Sequence, residues 1–404
     1  MMNGTEKRAV FSTIAKMRAD RALIRRLGNG SQIYASTDNT SGVRLLVDMP
    51  DILTNGDAGW LSLPGRPFAR QGQQTLGAKC GDWQQSVRSD DTGSTVIIAD
   101  HFGVCEYDAQ SVTDPPEIGS GQAFCTISRE SLLHALRACC RALKSDMMHR
   151  PGISGVVFDE IREADSMFGD LGPSDGVALV ATDGARLHAV GLPATLAPGV
   201  TPGADSEGHN DVSKLQIPLV AARALVDVLA GATAEIVALS AEPPVFRGAG
   251  HLTASCGRWL VQLAGVYGDF PKWRSIVPNF DMKPERSAVI ERVQTMSNLR
   301  RVVRWAGGGR RMIRASLRID GRGLLVETSD RNGAKCTRRE QIGPNVVSAE
   351  SLSATFGADA RLLIDALSAS TADSVRAFIG DHPLDPIVIR APDLFAIVMP
   401  ARLD

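Results

Sequence analysis

The chain has 404 residues, 44% of them hydrophobic and 22% charged, with a formal net charge of −1. That is an ordinary globular composition, with room for two or three domains that each bury a core. Aromatics at 5% are too few for the stacking platforms of a single-strand nucleic-acid binder, and near-neutrality means that a polyanion must meet a local basic surface.

The cysteines (Cys80, Cys105, Cys125, Cys139, Cys140, Cys256 and Cys336) include no CxxC pair, which points to reduced thiols and away from zinc or a disulfide framework. The opening MMNGTEKRAVF lacks the apolar core of a signal peptide, and no apolar run approaches the ~18 residues of a membrane span. A cytoplasmic protein without membrane contact, metal or cofactor is expected.

In chain order, the first segment is rich in cations: Lys7, Arg8, Lys16, Arg18, Arg21, Arg25 and Arg26. A strand with an acidic turn follows (33–47, with Asp38), then a helix candidate (64–74) and a pair of strands (94–107). The clearest helix is 128–146, with Ser128 as N-cap, Leu132, Leu136, Cys139 and Leu143 on one face, and Arg137, Arg141 and Lys144 on the other. Next come a polar loop (162–176), a strand and turn (177–192, with Asp183) and a Pro/Gly/Asp-rich stretch at 193–214. A helix (219–231) and two strands (251–265) complete that segment. The last part repeats the scheme: Arg292, Arg300, Arg301 and Arg304, then Arg310 and Arg311 after a glycine run, a strand and turn (323–336, with Asp330), a helix (358–370) and two strands (385–400).

The order strand, turn, helix, hairpin thus recurs three times at a long, even interval. It suggests three copies of one α+β domain, at 1–120, 121–278 and 279–404. Each basic helix alone reads as a solvated face. One in every repeat of a neutral chain favours a shared electropositive surface, which holds phosphates without reading bases.

Catalytic motifs are missing. Gly307–Gly309 lacks the lysine and hydroxyl of a phosphate loop, and neither GxSxG nor HExxH occurs. Asp183, between Thr and Gly, has the character of a turn residue bonding its own backbone more than that of a catalytic acid.

With these features, the chain resembles the β subunit of bacterial DNA polymerase III, the DNA sliding clamp. The resemblance is carried by ATDGARL (181–187), GDFPKWRSIVP (268–278), FGADARLLIDAL (356–367) and FAIVMPARL (395–403), with weaker matches in HRPGISGVVF (149–158) and STDNTSGVRL (36–45). It implies a DNA-clamp fold of three domains, with helices facing a central channel and antiparallel sheets outside. Two chains would join head to tail into a ring around double-stranded DNA without sequence preference. DNA polymerase III subunits and the clamp loader would dock short peptides between the second and third domains.

Carried over by position, that pocket comprises Ile153, Thr182, Gly184, Ala185, Arg186, Leu187, Pro271, Ile276, Ile397, Met399, Pro400, Ala401 and Arg402. Aliphatic and Met side chains form an adaptable apolar surface for an extended peptide. Ala185 and Ala401 are smaller than the residues usual there, implying a wider pocket. The DNA-facing set would be Arg18, Arg21, Arg137, Arg141, Lys144, Arg150, Arg301 and Arg304. The ring seam would join Val104 and Glu106 of one copy to Thr295 and Met296 of the next, a polar pairing for such a seam. The first domain arrives short, with Asp38 early, as though a strand were missing. A monomeric, clamp-derived adaptor that binds peptides without encircling DNA is the alternative; an enzyme has little support.

Overall fold

The computed structural model describes residues 4–17, 21–27, 30–37, 43–49, 60–65, 68–70, 84–90, 93–100, 103–112, 114–115, 117–119, 121–144, 150–161, 167–168, 176–197, 215–242, 250–266, 270–278, 287–305, 314–320, 323–329, 337–342, 346–348, 354–380, 382 and 384–401.

The first part of the chain runs α1 (Gly4–Met17), β1 (Arg21–Leu27), β2 (Gly30–Ser36), β3 (Val43–Met49), β4 (Trp60–Pro64), β5 (Gln84–Asp90), β6 (Gly93–Asp100) and β7 (Gly103–Val112). Next come β8 (Gln122–Ser128), α2 (Arg129–Ala142), β9 (Gly155–Glu160), β10 (Gly176–Thr182), β11 (Arg186–Leu196), β12 (Gln216–Pro218), α3 (Leu219–Gly231), β13 (Ile236–Glu242), β14 (His251–Cys256) and β15 (Trp259–Ala264). The remainder comprises β16 (Ser287–Glu291), α4 (Arg292–Trp305), β17 (Arg314–Asp320), β18 (Gly323–Ser329), β19 (Thr337–Ile342), β20 (Val346–Ser348), β21 (Ala354–Asp359), α5 (Ala360–Ala369), β22 (Ser374–Phe378), β23 (Ile387–Ala391) and β24 (Leu394–Val398). From β8 onward, strand–helix–strands–helix–three strands occurs twice; the described residues before β8 follow the same order but open directly on α1.

By contact, the chain divides into two units: residues 1–136 with 194–267, and residues 137–193 with 268–404. Compactness therefore separates the chain elsewhere than at the expected domain boundaries. Strand pairing explains this, because β3 pairs antiparallel with β15 and β11 with β24, joining segments far apart in sequence.

In the first unit, an antiparallel series runs β5–β6–β7–β4–β1–β2–β3–β15–β14–β13–β8 and ends on residues 194–196 of β11. Alternation along β3, with Val43, Leu45, Val47 and Met49 buried, fixes which face meets the core. Helix α1 buries Val10, Phe11 and Ile14 and packs against α3, which buries Ala221, Ala222, Leu225, Val228 and Leu229. Phe11 meets Phe68 edge to face at 5.4 Å between centroids. Of the helix expected at 64–74, residues 65 and 68–70 are helical; Pro64 ends β4, and 71–74 lie outside the described residues. Residues 193–196 of the Pro/Gly/Asp-rich stretch at 193–214 continue β11 as strand, and 198–214 lie outside the description.

In the second unit, β9–β10–β11–β24–β23–β22–β16–β20 form one antiparallel series, and β19–β18–β17–β21 a second sheet. Every position of β10 is buried, so both of its faces are covered. One face of β11 and β24 contributes Leu187, Ala189, Phe395 and Ile397 to a cluster with Ile161, Met167, Val180, Trp273, Phe378 and Val388. The other face turns Arg186 and His188 toward the end of α2. Helix α5 starts at Asp359, whose carboxylate accepts from the Arg361 amide at 2.9 Å.

The expected helix at 128–146 is α2, starting one residue later because Ser128 closes β8 and ending at Ala142, with residues 143 and 144 not helical. Leu132, Leu136 and Cys139 are buried and Arg137 and Arg141 exposed, as the 3.6-residue spacing requires. The turn residues Asp38 and Asp330 lie outside the described residues.

The α1–α3 contact gives a test of which forces matter. Lys16 pairs with Asp227 at 2.5 Å, but its side chain is 58% exposed, so the pair is worth little. Lys16→Ala should change urea-denaturation stability by less than about 1 kcal/mol. Phe11→Ala, removing a fully buried ring, should cost about 3–5 kcal/mol.

Candidate functional site

The site is built where the turn between β10 and β11 meets the C-terminal strand. Gly184 takes φ +84°, a left-handed conformation that glycine adopts without strain. Thr182 donates its hydroxyl to the Arg186 carbonyl at 2.7 Å and accepts from the Gly184 amide at 3.1 Å. Asp183 Oδ1 accepts from the amides of Ala185 (2.9 Å) and Arg186 (3.0 Å), the self-bonding turn that the sequence suggests.

The other carboxylate oxygen faces two cations, Lys144 Nζ at 3.2 Å and Arg186 Nε at 3.4 Å. Asp183 is buried; its Oδ1 takes both turn amides, while Oδ2 has these two cations near it and, among the described residues, no hydrogen bond. Arg186, also buried, donates Nε–H to the Ala142 carbonyl at 3.2 Å and pairs its guanidinium with Asp365 on α5. Its side chain thus binds the turn to the end of α2 and the middle of α5 and is not offered to a ligand.

Strand β24 lies beside β11 in the register Arg186↔Val398, Leu187↔Ile397, His188↔Ala396 and Ala189↔Phe395. The ladder extends past the strand end, where the Met399 amide donates to the Ala185 carbonyl at 2.9 Å. Beyond it, Ala401 donates to the Gly357 carbonyl at 2.9 Å, and Pro400 bridges to Ala358. The two sequence segments expected to form the pocket walls are therefore hydrogen-bonded neighbours.

Met399 at this junction and Ile276 at the end of the 273–276 helical turn are each 40% exposed. Gly184 is exposed, and Ile153, Ala185, Pro271, Pro400 and Ala401 are half-buried. Ile153 Cδ1 would lie 3.8 Å from a Cβ added at Gly184. Leu187 and Ile397 sit beneath, in the core cluster, and Thr182 is buried with its hydroxyl used in the turn. Arg402 lies outside the described residues.

Two contacts that motif reading does not reveal hold the segment carrying Pro271 and Ile276. The Trp273 indole and the Arg274 guanidinium both donate to Asp159 Oδ2 on β9, at 2.8 and 2.5 Å. Arg274 also lies over the Trp273 ring, 4.4 Å from its centroid. A shallow recess on this side of the unit lies elsewhere, between Met167, Phe168, Gly191 and the β23–β24 hairpin.

Among the cations expected to face DNA, Arg137, Arg141, Lys144, Arg150, Arg301 and Arg304 are exposed. Arg18 and the side chain of Arg21 lie outside the description. Lys144 has the second role described above, as partner of Asp183. Of the residues expected at a seam, Glu106 is exposed, and the Val104 side chain is not described. Thr295 and Met296 are 2% and 6% exposed, with the Thr295 hydroxyl donating to the Glu291 carbonyl of the preceding turn, so both face inward. The residues that α4 presents near them are Val293, Gln294 and Ser297. The expectation for Thr295 and Met296 placed them on the wrong side of the helix.

Behind the site, His188 is fully buried, with Nδ1 donating to the Ala138 carbonyl at 2.8 Å. Burial pushes its pKa down to about 4; the charges of Arg186 and Arg141 add to this, and the Ala138 bond and Asp183 oppose it. Burial likewise holds the Cys139 thiol well above its usual range. Among the described residues, no group of three or more His, Cys, Asp or Glu is placed to hold a metal, and no helix is long and apolar enough to cross a membrane.

No family model and no curated protein matches the sequence. Solved structures do match. The β subunit of DNA polymerase III from Thermotoga maritima aligns over 100% of this chain and 99% of its own, with 16% identity and a TM-score of 0.73. A β sliding clamp from Caulobacter crescentus, solved with polyethylene glycol in a region ascribed to β-motif tethering, covers 98% and 97% at 14% identity and a TM-score of 0.72. A sliding clamp from Bartonella birtlesii bound to griselimycin covers 98% of each chain at 19% identity and a TM-score of 0.71. The chain has the DNA sliding clamp fold.

Two of these features are testable through stability. An unfolded histidine titrates near 6.5, so the unfolded chain binds the proton first on acidification. The stability from a neutral buried His188 is complete above that pH and is lost as pH falls toward about 4. Between pH 7 and pH 4 the wild type should lose about 3 kcal/mol more than His188→Asn in urea unfolding; equal losses would contradict this. Gly184→Ala, which has space for the methyl group but not the backbone angle, should cost about 1–2 kcal/mol.

Proposed function

We propose that the chain is a DNA sliding clamp, a processivity factor that acts by encirclement and without catalysis. In this reading it comprises three clamp domains, at 1–120, 121–278 and 279–404, and two copies close head to tail around duplex DNA. DNA polymerase III subunits and the clamp loader are tethered by short peptides, in the cytoplasm of a bacterium. The observation that carries the reading is the junction of the Thr182–Arg186 turn with the terminal strand through the Met399–Ala185 hydrogen bond. Beside it Met399 is exposed and Ile153 half-buried, with Leu187 and Ile397 in the core cluster, in a fold shared with clamps along the whole chain.

An extended peptide on this surface buries apolar side chains against Met399 and Ile276. The exposed cations on α2 and α4, in a chain of net charge −1, supply the local positive surface that phosphates need. The seam favours a second reading, a monomeric peptide-binding adaptor. Glu106 is exposed there and Thr295 and Met296 face inward, leaving Val293 as the exposed apolar side chain on that part of α4.

Light scattering separates the two readings: a clamp gives the mass of two chains across concentrations, and an adaptor the mass of one. Griselimycin, the ligand of the Bartonella clamp, serves as a probe of the surface. Met399→Ala with Ile276→Ala should weaken its binding about 10-fold or more while leaving the mass unchanged. Unaltered affinity would put the binding surface elsewhere. Arg137→Ala with Arg141→Ala should weaken duplex binding and lower the slope of log affinity against log salt by about 1 to 2, with griselimycin affinity unchanged.

A further inference from the structure

We infer that Lys144 is a positioning residue of the peptide surface, so that phosphate occupancy at the end of α2 lowers peptide affinity. This inference rests on the clamp reading and assigns that site a form of regulation. Lys144 follows α2 directly, after exposed Arg137 and Arg141 on the same side of the helix. Its ammonium, on a side chain 46% exposed, reaches Asp183 Oδ2, whose own side chain is shut off from water. A continuous path of polar contacts leads onward. Asp183 Oδ1 holds the Ala185 amide at 2.9 Å, and the Ala185 carbonyl holds the Met399 amide at 2.9 Å. Lys144 is thus three contacts from a side chain that would meet a peptide, and it is also among the cations that would meet duplex phosphate.

One ammonium cannot saturate a buried carboxylate and a phosphate with equal strength. Drawn to phosphate, it leaves Asp183, among the described residues, balanced by Arg186, a residue already shared with Asp365 and the Ala142 carbonyl. The carboxylate then moves toward Arg186, and its grip on the Ala185 amide slackens. The Ala185–Met399 junction loosens with it. The partial exposure of Lys144 makes this exchange accessible, and an uncompensated buried charge is costly enough to transmit it. Among the described residues, no ion pair joins Arg137 or Arg141 to the turn, so the coupling is assigned to Lys144.

The test titrates labelled griselimycin against the full chain with and without a saturating short duplex at low salt. In the wild type, duplex should weaken griselimycin binding threefold or more. Lys144→Gln should show the weaker affinity without duplex and no response when it is added, and Lys144→Arg should restore both properties. If Lys144→Gln matches the wild type in affinity and in duplex response, the inference is overturned while the clamp reading stands. A wild type that binds both ligands independently has the same meaning. A wild type that fails to bind either griselimycin or duplex overturns the clamp reading, and the inference with it.

Discussion

The antiparallel pairing of β11 with β24 is the constraint on which the candidate site depends. It joins residues more than two hundred positions apart and sets the faces of both strands together. In that register Leu187 and Ile397 enter the apolar cluster, while Arg186 and His188 turn toward the end of α2. A slip by one residue would drive a guanidinium into the cluster and strip it of Asp183, Asp365 and the Ala142 carbonyl. A buried charge with so specific a set of partners selects one register. Hydrophobic burial, indifferent to which aliphatic side chain meets which, supplies most of the stability but less of the choice.

The same register explains why ATDGARL carries so much meaning. Thr182 and Asp183 close the turn, Gly184 supplies its angle, Arg186 anchors it to two helices and Leu187 enters the cluster. Ala185 has a small side chain and contributes mainly its carbonyl, to Met399. Beside the short side chain of Ala185, Met399 is a larger exposed apolar group at the turn.

Much of this was legible in the sequence where a local rule applied. The period of Leu132, Leu136 and Cys139 gave α2 and its exposed arginines, and the recurring order of elements gave the strand pairs at 94–107, 251–265 and 385–400. The aspartate between Thr and Gly was recognisable as a turn residue because its bonds are to its own backbone. Long-range partners were not legible. Asp365 lies 179 positions from Arg186, and Asp159 lies 114 from Trp273; nothing local marks either. At Thr295 and Met296, a polar residue beside an apolar one does not show which side faces inward, and packing against the rest of the unit decided it. Division into compact units also escaped the repeat pattern, because strand pairing such as β3 with β15 crosses the expected boundaries.

On the proposed clamp reading the chain is retained on DNA by encirclement, a property distinct from affinity. Binding through exposed arginines alone responds to salt and is indifferent to whether DNA has ends. Encirclement is largely insensitive to salt once formed and depends on ends. The most direct measurement threads the chain onto linear duplex, circularises the DNA by ligation, raises the salt and follows co-elution in gel filtration before and after linearisation. A clamp stays with the circle at high salt and is lost when the circle is cut. Equal retention on circular and linear DNA, or loss from both, would contradict the account.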